Sequence, residues 1–285
     1  MKNGTILTIT KLKKSYGIRK KVPDKIILNC IDMRLKKGQC ICIVGENGAG
    51  KSTLLKIVMG LIPQDSGDIE ILGNTGYVPE TSINFRYLSA AENLDYYAQI
   101  SGNSTDYGEL MNQLGIGDTK RKSLKNFSKG MARKIDIVRA LNTEPALIVL
   151  DEPFEGLDPK TCTDIIETLK EAKNSGKAIL MSSHDMSYVE RIADEVMLLE
   201  NGKIKEISKA GKGFCIIFES DNTSSIESNV KKYGVEVKTY EGKYIININD
   251  ESLKNDIIRI LIDSGASIVK QGYRSLEEEY LDEIS

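Results

Sequence analysis

The stretch "GENGAGKST" at residues 45–53 constrains this chain more than any other feature of its sequence. It fits the pattern G-x-x-x-x-G-K-[ST], it follows the apolar run "QCICIVG" (39–45), and a helix is predicted to begin at Lys51. Glycines let the backbone wrap around phosphates, and the N–H groups at a helix start attract negative charge. We therefore predict a phosphate-binding loop between a buried strand and a helix. Its nucleotide contacts are assigned to Gly45, Glu46, Asn47, Gly48, Ala49, Gly50, Lys51, Ser52 and Thr53.

Two side chains of this loop are expected to carry its chemistry. In such a motif the lysine, here Lys51, reaches the β- and γ-phosphates, and the hydroxyl of Ser52 ligates Mg²⁺. An ordinary glycine-rich turn with a chance lysine is the alternative. It is disfavoured because every fixed position and the strand-to-helix context agree with the motif.

A buried strand at residues 146–153, "ALIVLDEP", ends in two adjacent carboxylates. This run and "KAILMSS" (177–183) are almost entirely apolar, with a helix between them, which is typical of parallel strands in an α/β fold. Ligands collect at the carboxyl ends of such strands. We expect Asp151 to hold Mg²⁺ through water and Glu152 to polarise the water that attacks the γ-phosphate. A helix-capping acidic turn is the alternative for the pair taken alone.

His184 is the only histidine of the chain and follows the second of these strands. A lone histidine is usually incidental. At the sheet edge that it shares with Asp151, however, it can hydrogen-bond the γ-phosphate or hold the attacking water and Glu152 in place. The residues alone leave both possibilities open, and the family resemblance described below places His184 with Glu152 and Lys51 in the candidate catalytic set.

Composition and charge disfavour several classes of protein. A length of 285 residues is long for one domain and predicts two. Lys and Arg total 39 and Asp and Glu total 41, so the net charge is −2, which gives no general attraction to nucleic acid. The apolar runs are too short for a membrane span and the N-terminus lacks a signal sequence, so the cytoplasm is the expected location. The five cysteines show no CxxC spacing and are expected to be reduced structural thiols.

Helical patterns dominate from about residue 76 to residue 144. Polar, glycine-bearing breaks separate the predicted helices there. We interpret this part as a helical subdomain, at about 80–144, inserted into a first domain that spans residues 1–210. The helices are predicted at 89–102, 107–115 and 128–142, and strands precede the subdomain at 5–10 and 26–35.

The character of the sequence changes near residues 208–212, a stretch of Lys, Gly and Ala. Residues 211–285 read as strand, helix, strand, strand, helix, strand, which is the ferredoxin-like order. Glu241 and Gly242 are predicted to form the hairpin turn, and 275–284 a last short helix. The sequence therefore predicts a small α+β domain at the C-terminal end.

Five segments, in this order, resemble the ATPase subunit of the ABC transporter superfamily. They are the phosphate loop, "FSKGM" (127–131), "LIVLDEP", "GLDP" (156–159) and "SSHD" (182–185). The resemblance spans residues 5–205. It implies a P-loop NTPase fold, with an ABC-type nucleotide-binding domain and its inserted helical subdomain, that hydrolyses ATP.

The resemblance also implies a role for the turn that contains Ser128 and Gly130, which is not part of the phosphate loop. Ser128 and Gly130 open a basic amphipathic helix, where backbone N–H groups can bind an anion. In the family, ATP is sandwiched between two subunits arranged head to tail, so both residues are implied to serve the partner's ATP. Ser128 capping only its own helix is the alternative. Asp158 is implied to connect the two sites, and Tyr16 to stack on adenine.

Glu80 stands where the family commonly has a glutamine. That residue is implied to sense Mg²⁺ and to link the site to the membrane partner. A carboxylate still ligates Mg²⁺, although it adds negative charge near the phosphates. Lys129 and Met131 depart from the sequence Leu-Ser-Gly-Gly-Gln of the family. These departures and the ferredoxin-like tail resemble the single-domain ATPases that drive bacterial exporters of drugs, antimicrobial peptides and related compounds.

The function implied is an ATPase subunit that powers a separate transmembrane permease through the 80–100 region. A second ATPase subunit, either an identical chain or a paralogue, is the other expected partner, and the location is peripheral on the inner face of the cell membrane. A soluble ABC-type ATPase that acts in assembly or regulation is one alternative, and a nucleotide-binding regulator without turnover is another. The C-terminal domain is expected to contact the dimer or the permease, with ligand sensing as the alternative.

Overall fold

The computed structural model describes residues 4–17, 25–102, 106–207, 214–240, 243–248, 250–273 and 276. Its contacts divide the chain into two compact units, Met1–Ile207 and Ser208–Ser285. The boundary stretch expected at 208–212 lies outside the described residues. The domain limit at residue 210 therefore stays a prediction.

The first unit alternates strands and helices in an α/β order, as its apolar runs predicted. In chain order its elements are β1 (Thr5–Tyr16), β2 (Lys25–Lys36), β3 (Cys40–Val44), α1 (Lys51–Val58), β4 (Ser66–Ile71), β5 (Thr75–Val78), α2 (Ala90–Ser101), α3 (Gly108–Gln113), α4 (Lys129–Leu141), β6 (Leu147–Leu150), α5 (Pro159–Asn174), β7 (Ala178–Ser182), α6 (Met186–Ile192), β8 (Glu195–Glu200) and β9 (Lys203–Ile207).

A six-stranded sheet lies at the centre of this unit, in the order β5-β6-β7-β3-β8-β9. Its first five strands are parallel, and β9 pairs antiparallel with β8. Every residue of β3, β6 and β7 is buried, which accounts for their continuous apolar sequences. Because β3, β6 and β7 are parallel neighbours, their carboxyl ends meet at one edge of the sheet. The phosphate loop and the candidate catalytic residues follow these strands at that edge.

A second sheet of the first unit is antiparallel, in the order β2-β1-β4. The strands predicted at 5–10 and 26–35 are extended to Thr5–Tyr16 and Lys25–Lys36. Strand β4 was not predicted, because only three of its positions are apolar or glycine, which is too few for a clear alternating pattern. Pairing with β1 stabilises it, and pairing between distant segments is not visible in a local pattern.

The helical subdomain contains α2, α3 and α4 close to their predicted positions. Ser89 caps α2 in a capping box with Glu92, and Ser128 caps α4. The expectation that helical structure begins near residue 76 is wrong. Residues Thr75–Val78 form strand β5, because their backbone pairs with β6 along Leu147–Leu150.

The second unit has the ferredoxin-like order that its sequence predicted. Its four strands form one antiparallel sheet in the order β11-β12-β10-β13. The predicted turn at Glu241–Gly242 and, apart from Leu276, the predicted helix at 275–284 lie outside the described residues. The elements are β10 (Phe214–Glu219), α7 (Thr223–Val230), β11 (Val237–Tyr240), β12 (Lys243–Ile248), α8 (Lys254–Asp263) and β13 (Ser267–Tyr273).

The structure describes all five cysteines, and none of them forms a disulfide. Cys30 is exposed and the other four are buried. Burial raises the pKa of Cys42 well above its usual value, so this thiol stays protonated and is unreactive at neutral pH.

Gly76 sets how closely strand β5 approaches helix α4, and its replacement provides a test of this packing. A Cβ atom at this position would overlap the backbone carbonyl of Ala140. Because backbone atoms cannot move aside cheaply, Gly76→Ala is expected to lower the free energy of unfolding by about 2 kcal/mol. Gly272→Ala, in another strand where a Cβ atom meets nothing within 4 Å, is the matched control. Chemical denaturation of both variants measures the difference, and equal stabilities would contradict the packing.

Candidate active site

The phosphate loop follows β3 and has a backbone that only glycine adopts readily. Gly45, Gly48 and Gly50 have φ angles of 149°, 85° and 111°. A Cβ atom on Gly45 would lie 2.5 Å from the carbonyl oxygen of Leu199, and one on Gly50 would lie 2.7 Å from Cγ2 of Ile27. The loop therefore requires glycine at these two positions for space as well as for conformation.

The Lys51 side chain is buried and crosses the opening of the loop. Its Nζ donates to the carbonyl oxygens of Gly45 at 2.7 Å and Glu46 at 3.2 Å. The same atom lies 3.9 Å from Oε1 of Glu152. The ammonium group thus lies next to the loop backbone that would bind a phosphate.

Ser52 and Asp151 form an oxygen-rich pair next to the loop. The Ser52 hydroxyl donates to Oδ1 of Asp151 at 3.0 Å, and the same oxygen accepts from the Ser182 hydroxyl at 2.7 Å. Asp151 is only 1% exposed. A hydroxyl and a carboxylate beside a phosphate loop are hard oxygen ligands and fit the preferences of Mg²⁺.

Sequence reasoning missed Ser182, which also accepts a 3.0 Å hydrogen bond from the backbone N–H of Glu152. Its hydrogen bonds connect the end of β7 to the end of β6, and so orient the carboxylates of Asp151 and Glu152. The signal was present in "SSHD", but only the pairing of β6 with β7 shows which residues this serine reaches.

Glu152 and His184 are in direct contact. His184 Nδ1 lies 2.9 Å from Oε2 of Glu152, whose side chain is 12% exposed. Glu152 has a φ of 46°, a left-handed conformation that is strained for a residue with a side chain. Helix α5 begins later, with Asp158 as its N-cap. The alternative that Asp151 and Glu152 cap a helix is therefore wrong.

A cavity of about 430 Å³ lies beside these groups, although Asp151 and Ser182 are not part of its lining. Besides loop residues it is lined by the candidate site residues Glu80, Glu152 and His184, and by Ile27 and Glu155, which sequence reasoning missed. Glu155 had no motif to mark it, since it lies between two recognised segments. The loop residues that line the cavity are Asn47, Gly48, Gly50, Lys51, Ser52 and Thr53. Within the loop, the backbone N–H of Ala49 donates to the carbonyl of Glu46 at 3.1 Å.

Tyr77 lies in β5, next to its last residue. Burial, together with the nearby carboxylates of Asp151 and Glu80, raises its pKa to about 12. The phenol therefore stays protonated at neutral pH. Among the described residues its hydroxyl has no hydrogen-bond partner.

The remaining predicted residues do not line this cavity. Ser128 is exposed and accepts from the backbone N–H of Met131 at 3.2 Å, so it does cap its own helix. Gly130 packs against Thr161, close enough that a Cβ atom would lie 3.0 Å from Oγ1. Asp158 accepts hydrogen bonds from Thr161, which lower the pKa of its carboxyl.

Tyr16 also lies apart from the cavity lining, at the end of β1, and 48% of its surface is exposed. The Nζ atom of Lys14 lies 5.3 Å from the centre of its ring, and Asp65 holds that ammonium group at 3.1 Å. One cation thus contacts the ring, while about half of the side chain is open to solvent.

Comparison with known proteins decides the family. Residues 28–155 match the family model described as ABC transporter. The lantibiotic transport ATP-binding protein SrtF of Streptococcus pyogenes is 36% identical over 209 residues, which cover 70% of this chain and 89% of SrtF. The chain belongs to the ABC transporter family. Within this family it is an ATP-hydrolysing subunit, as its sequence implied.

Two further proteins are similar to this ABC ATPase over the same share of its chain. The linearmycin resistance ATP-binding protein LnrL of Bacillus subtilis is 32% identical over 216 residues, or 70% of this chain and 68% of LnrL. A solved structure described as the ATP binding subunit of an ABC transporter has a TM-score of 0.63 and 31% identity, and covers 70% of this chain and 88% of its own. No helix in the described ranges is long and apolar enough to cross a membrane.

Proposed function

We propose that this ABC ATPase drives a separate membrane permease by closing two subunits around ATP and reopening them after hydrolysis. The observation that carries the proposal is the separation of two candidate anion-binding elements. The phosphate loop, Glu152 and His184 share one cavity, whereas the Ser128 turn is exposed and does not line it. A second subunit placed head to tail would bring these elements together. Closing and reopening would then bias two states of the permease.

In the proposed reaction the loop backbone and Lys51 hold the β- and γ-phosphates of ATP. Glu152 orients and polarises the attacking water, and His184 fixes the Glu152 carboxylate through the 2.9 Å contact. Ser52, Asp151 and Glu80 are the groups that would hold Mg²⁺. Bound there, the ion would neutralise charge that develops on the phosphates.

Ser128 and Gly130 are proposed to act on the ATP held by the partner subunit. The start of α4 offers backbone N–H groups at the positive end of a helix of 13 residues. Asp158 lies in the turn after Glu152 and would contact the opposite subunit. Tyr16, with half of its side chain open to solvent, is proposed to stack on the adenine.

The permease is proposed to contact an exposed patch at 83–100. Its apolar members are Ile83, Phe85, Tyr87, Tyr96 and Ile100, with exposures of 49%, 44%, 81%, 43% and 68%. The rings of Phe85 and Tyr96 pack edge to face at 4.9 Å, so they form a connected surface. Clustered exposed apolar side chains usually mark a binding surface. The patch follows Glu80 in the chain, so it links the permease to the phosphate cavity.

Export is the proposed direction, with an antimicrobial peptide, a drug or a related compound as cargo. The support is the function for which two relatives are named, lantibiotic transport and linearmycin resistance. The ATPase would then lie on the cytoplasmic face of the membrane, held there by the permease. The permease itself would select the cargo.

Mixing two inactive variants tests the head-to-tail dimer. Lys51→Met damages the phosphate loop, and Ser128→Arg damages the turn offered to the partner. Each is expected to be inactive alone. A mixed dimer places both defects in one site and leaves the other site intact, so an equal mixture should recover roughly a quarter of the wild-type ATPase rate. Two different Lys51 variants mixed in the same way are the control. A Ser128→Arg protein with the wild-type rate would contradict the role in the partner's site.

A further inference from the structure

Helix α4 presents three charged residues, spaced three apart, to the segment that carries Glu80. Arg133, Asp136 and Arg139 fall on one face of the helix because a spacing of three residues nearly completes a turn. All three contact the segment 77–84, which runs from the end of β5 past Glu80. Five hydrogen bonds join the helix to this segment.

Arg133 holds the backbone on which Glu80 stands. Its Nη1 donates to the carbonyl oxygen of Pro79 at 2.5 Å, and its Nη2 donates to that of Glu80 at 2.6 Å. The side chain is 4% exposed, and burial lowers its pKa, although a guanidinium stays charged. A rigid planar fork that bridges two consecutive carbonyls fixes the position and the orientation of the peptide between them.

Asp136 and Arg139 hold the two ends of the same segment. Oδ1 of Asp136 accepts from the hydroxyl of Ser82 at 3.1 Å and from Nδ2 of Asn84 at 2.9 Å. Arg139 lies 3.6 Å from that carboxylate and donates to the carbonyl oxygen of Tyr77 at 3.0 Å. The segment is thus attached before, at and after Glu80.

This arrangement is poorly suited to adding stability. Asp136 is fully buried, and burial raises its pKa. Within the described part of the chain, Oδ2 of Asp136 and Nε of Arg139 make no hydrogen bond. Buried charges that are incompletely paired are often no more stable than apolar side chains of the same size. Their clearest effect here is geometric, because they place one loop at a defined position on one helix.

We propose that Arg133 and Asp136 are positioning residues that make Glu80 move together with helix α4. The Glu80 carboxylate lines the phosphate cavity of its own subunit, while the first turn of α4 carries Ser128 and Gly130. The contacts of Arg133 and Asp136 therefore connect the ATP site of one subunit mechanically to the turn offered to the ATP of the other. This inference rests on the proposed function of Glu80.

A double-mutant cycle tests the proposal on the full chain. Arg133→Lys keeps the charge but replaces the rigid planar fork by a single flexible ammonium group, which fixes two carbonyls less well. Glu80→Ala removes the group to be positioned. Arg133→Lys is expected to lower kcat about 10-fold while the KM for ATP changes less than about 2-fold, and to add less than about 2-fold when Glu80 is already alanine. Equal losses in both backgrounds, or no loss in either, would overturn the proposal.

Lys134 provides the matched control on the same helix. It is buried and binds the carbonyl oxygen of Leu114 and Asp164, on elements away from the Glu80 segment. Any loss of kcat from Lys134→Gln comes from general destabilisation. It should therefore be the same in the wild-type and the Glu80→Ala backgrounds.

A second variant tests the proposal without a substitution in helix α4, in case Arg133→Lys disturbs folding. Replacing both Ser82 and Asn84 by alanine removes the partners of Asp136 from the loop side and leaves the packing of α4 in place. It should show the same dependence on Glu80 at temperatures below its midpoint of thermal unfolding, where the protein is folded, and additive losses would overturn the proposal. If Glu80→Ala itself leaves ATPase activity unchanged, the proposed role of Glu80 fails and the inference fails with it. If Glu80→Ala is impaired and the losses are additive, only the positioning role fails.

Discussion

Replacing Glu152 by glutamine is expected to lower the kcat for ATP hydrolysis at least about 100-fold, because removal of a general base costs this much or more. Glutamine has the same shape, so the 2.9 Å contact to His184 can persist while the negative charge that polarises the attacking water is lost. Phosphate binding depends on the loop and Lys51, which the substitution does not touch. ATP should therefore remain bound, and the two-subunit form should accumulate.

Glu155→Gln is the matched control for this experiment. Glu155 lines the same cavity, and its replacement by glutamine is the same chemical change. The contact with His184, however, is made by Glu152. Steady-state phosphate release and the amount of ATP retained after gel filtration measure the two expected effects. An ATPase rate within 2-fold of wild type for Glu152→Gln would mean that another group activates the water.

Replacing Lys51 by methionine is expected to abolish detectable turnover and to weaken ATP binding by about 10-fold or more. Methionine matches the length of lysine without its charge. The phosphate loop then loses the cation that donates to Gly45 and Glu46 at its opening. The negative charge of the phosphates is left to backbone N–H groups and the start of α1.

Lys56→Met is the control, since it makes the same change on an exposed position of the same helix. Isothermal titration with ATP and Mg²⁺ compares the two variants directly. The Lys56 variant should bind ATP as wild type does. Wild-type affinity in the Lys51 variant would contradict the assignment of the loop.

The sequence predicted the residues whose positions are set locally. Gly45, Gly50 and Lys51 were identifiable because a strand-to-helix turn around phosphate needs these residue types at fixed spacing. The buried parallel strands predicted that Asp151, Glu152 and His184 would meet at one edge of the sheet. The contact between Glu152 and His184 follows from the neighbouring positions of β6 and β7.

Residues that act across distant segments escaped prediction. Ser182 orients Asp151 from another strand, and Arg133 reaches the backbone at Glu80 from a helix more than 50 residues further along the chain. Strands β4 and β5 escaped for the same reason, since their partners fix them. In each case the decisive contact depends on the tertiary arrangement, which periodicity does not encode. The role of the second unit stays a prediction.

The measurement that tests the account most directly is the identification of what binds the chain in its ATP-bound form. The Glu152→Gln protein would be tagged, extracted from native membranes in mild detergent with ATP and Mg²⁺, and analysed for bound proteins. A matched sample would also carry Tyr87→Asp and Ile100→Asp, at positions 81% and 68% exposed. The account predicts a polytopic membrane protein in fixed ratio to the first sample and its loss from the second. Only soluble partners, with the chain absent from the membrane fraction, would contradict it.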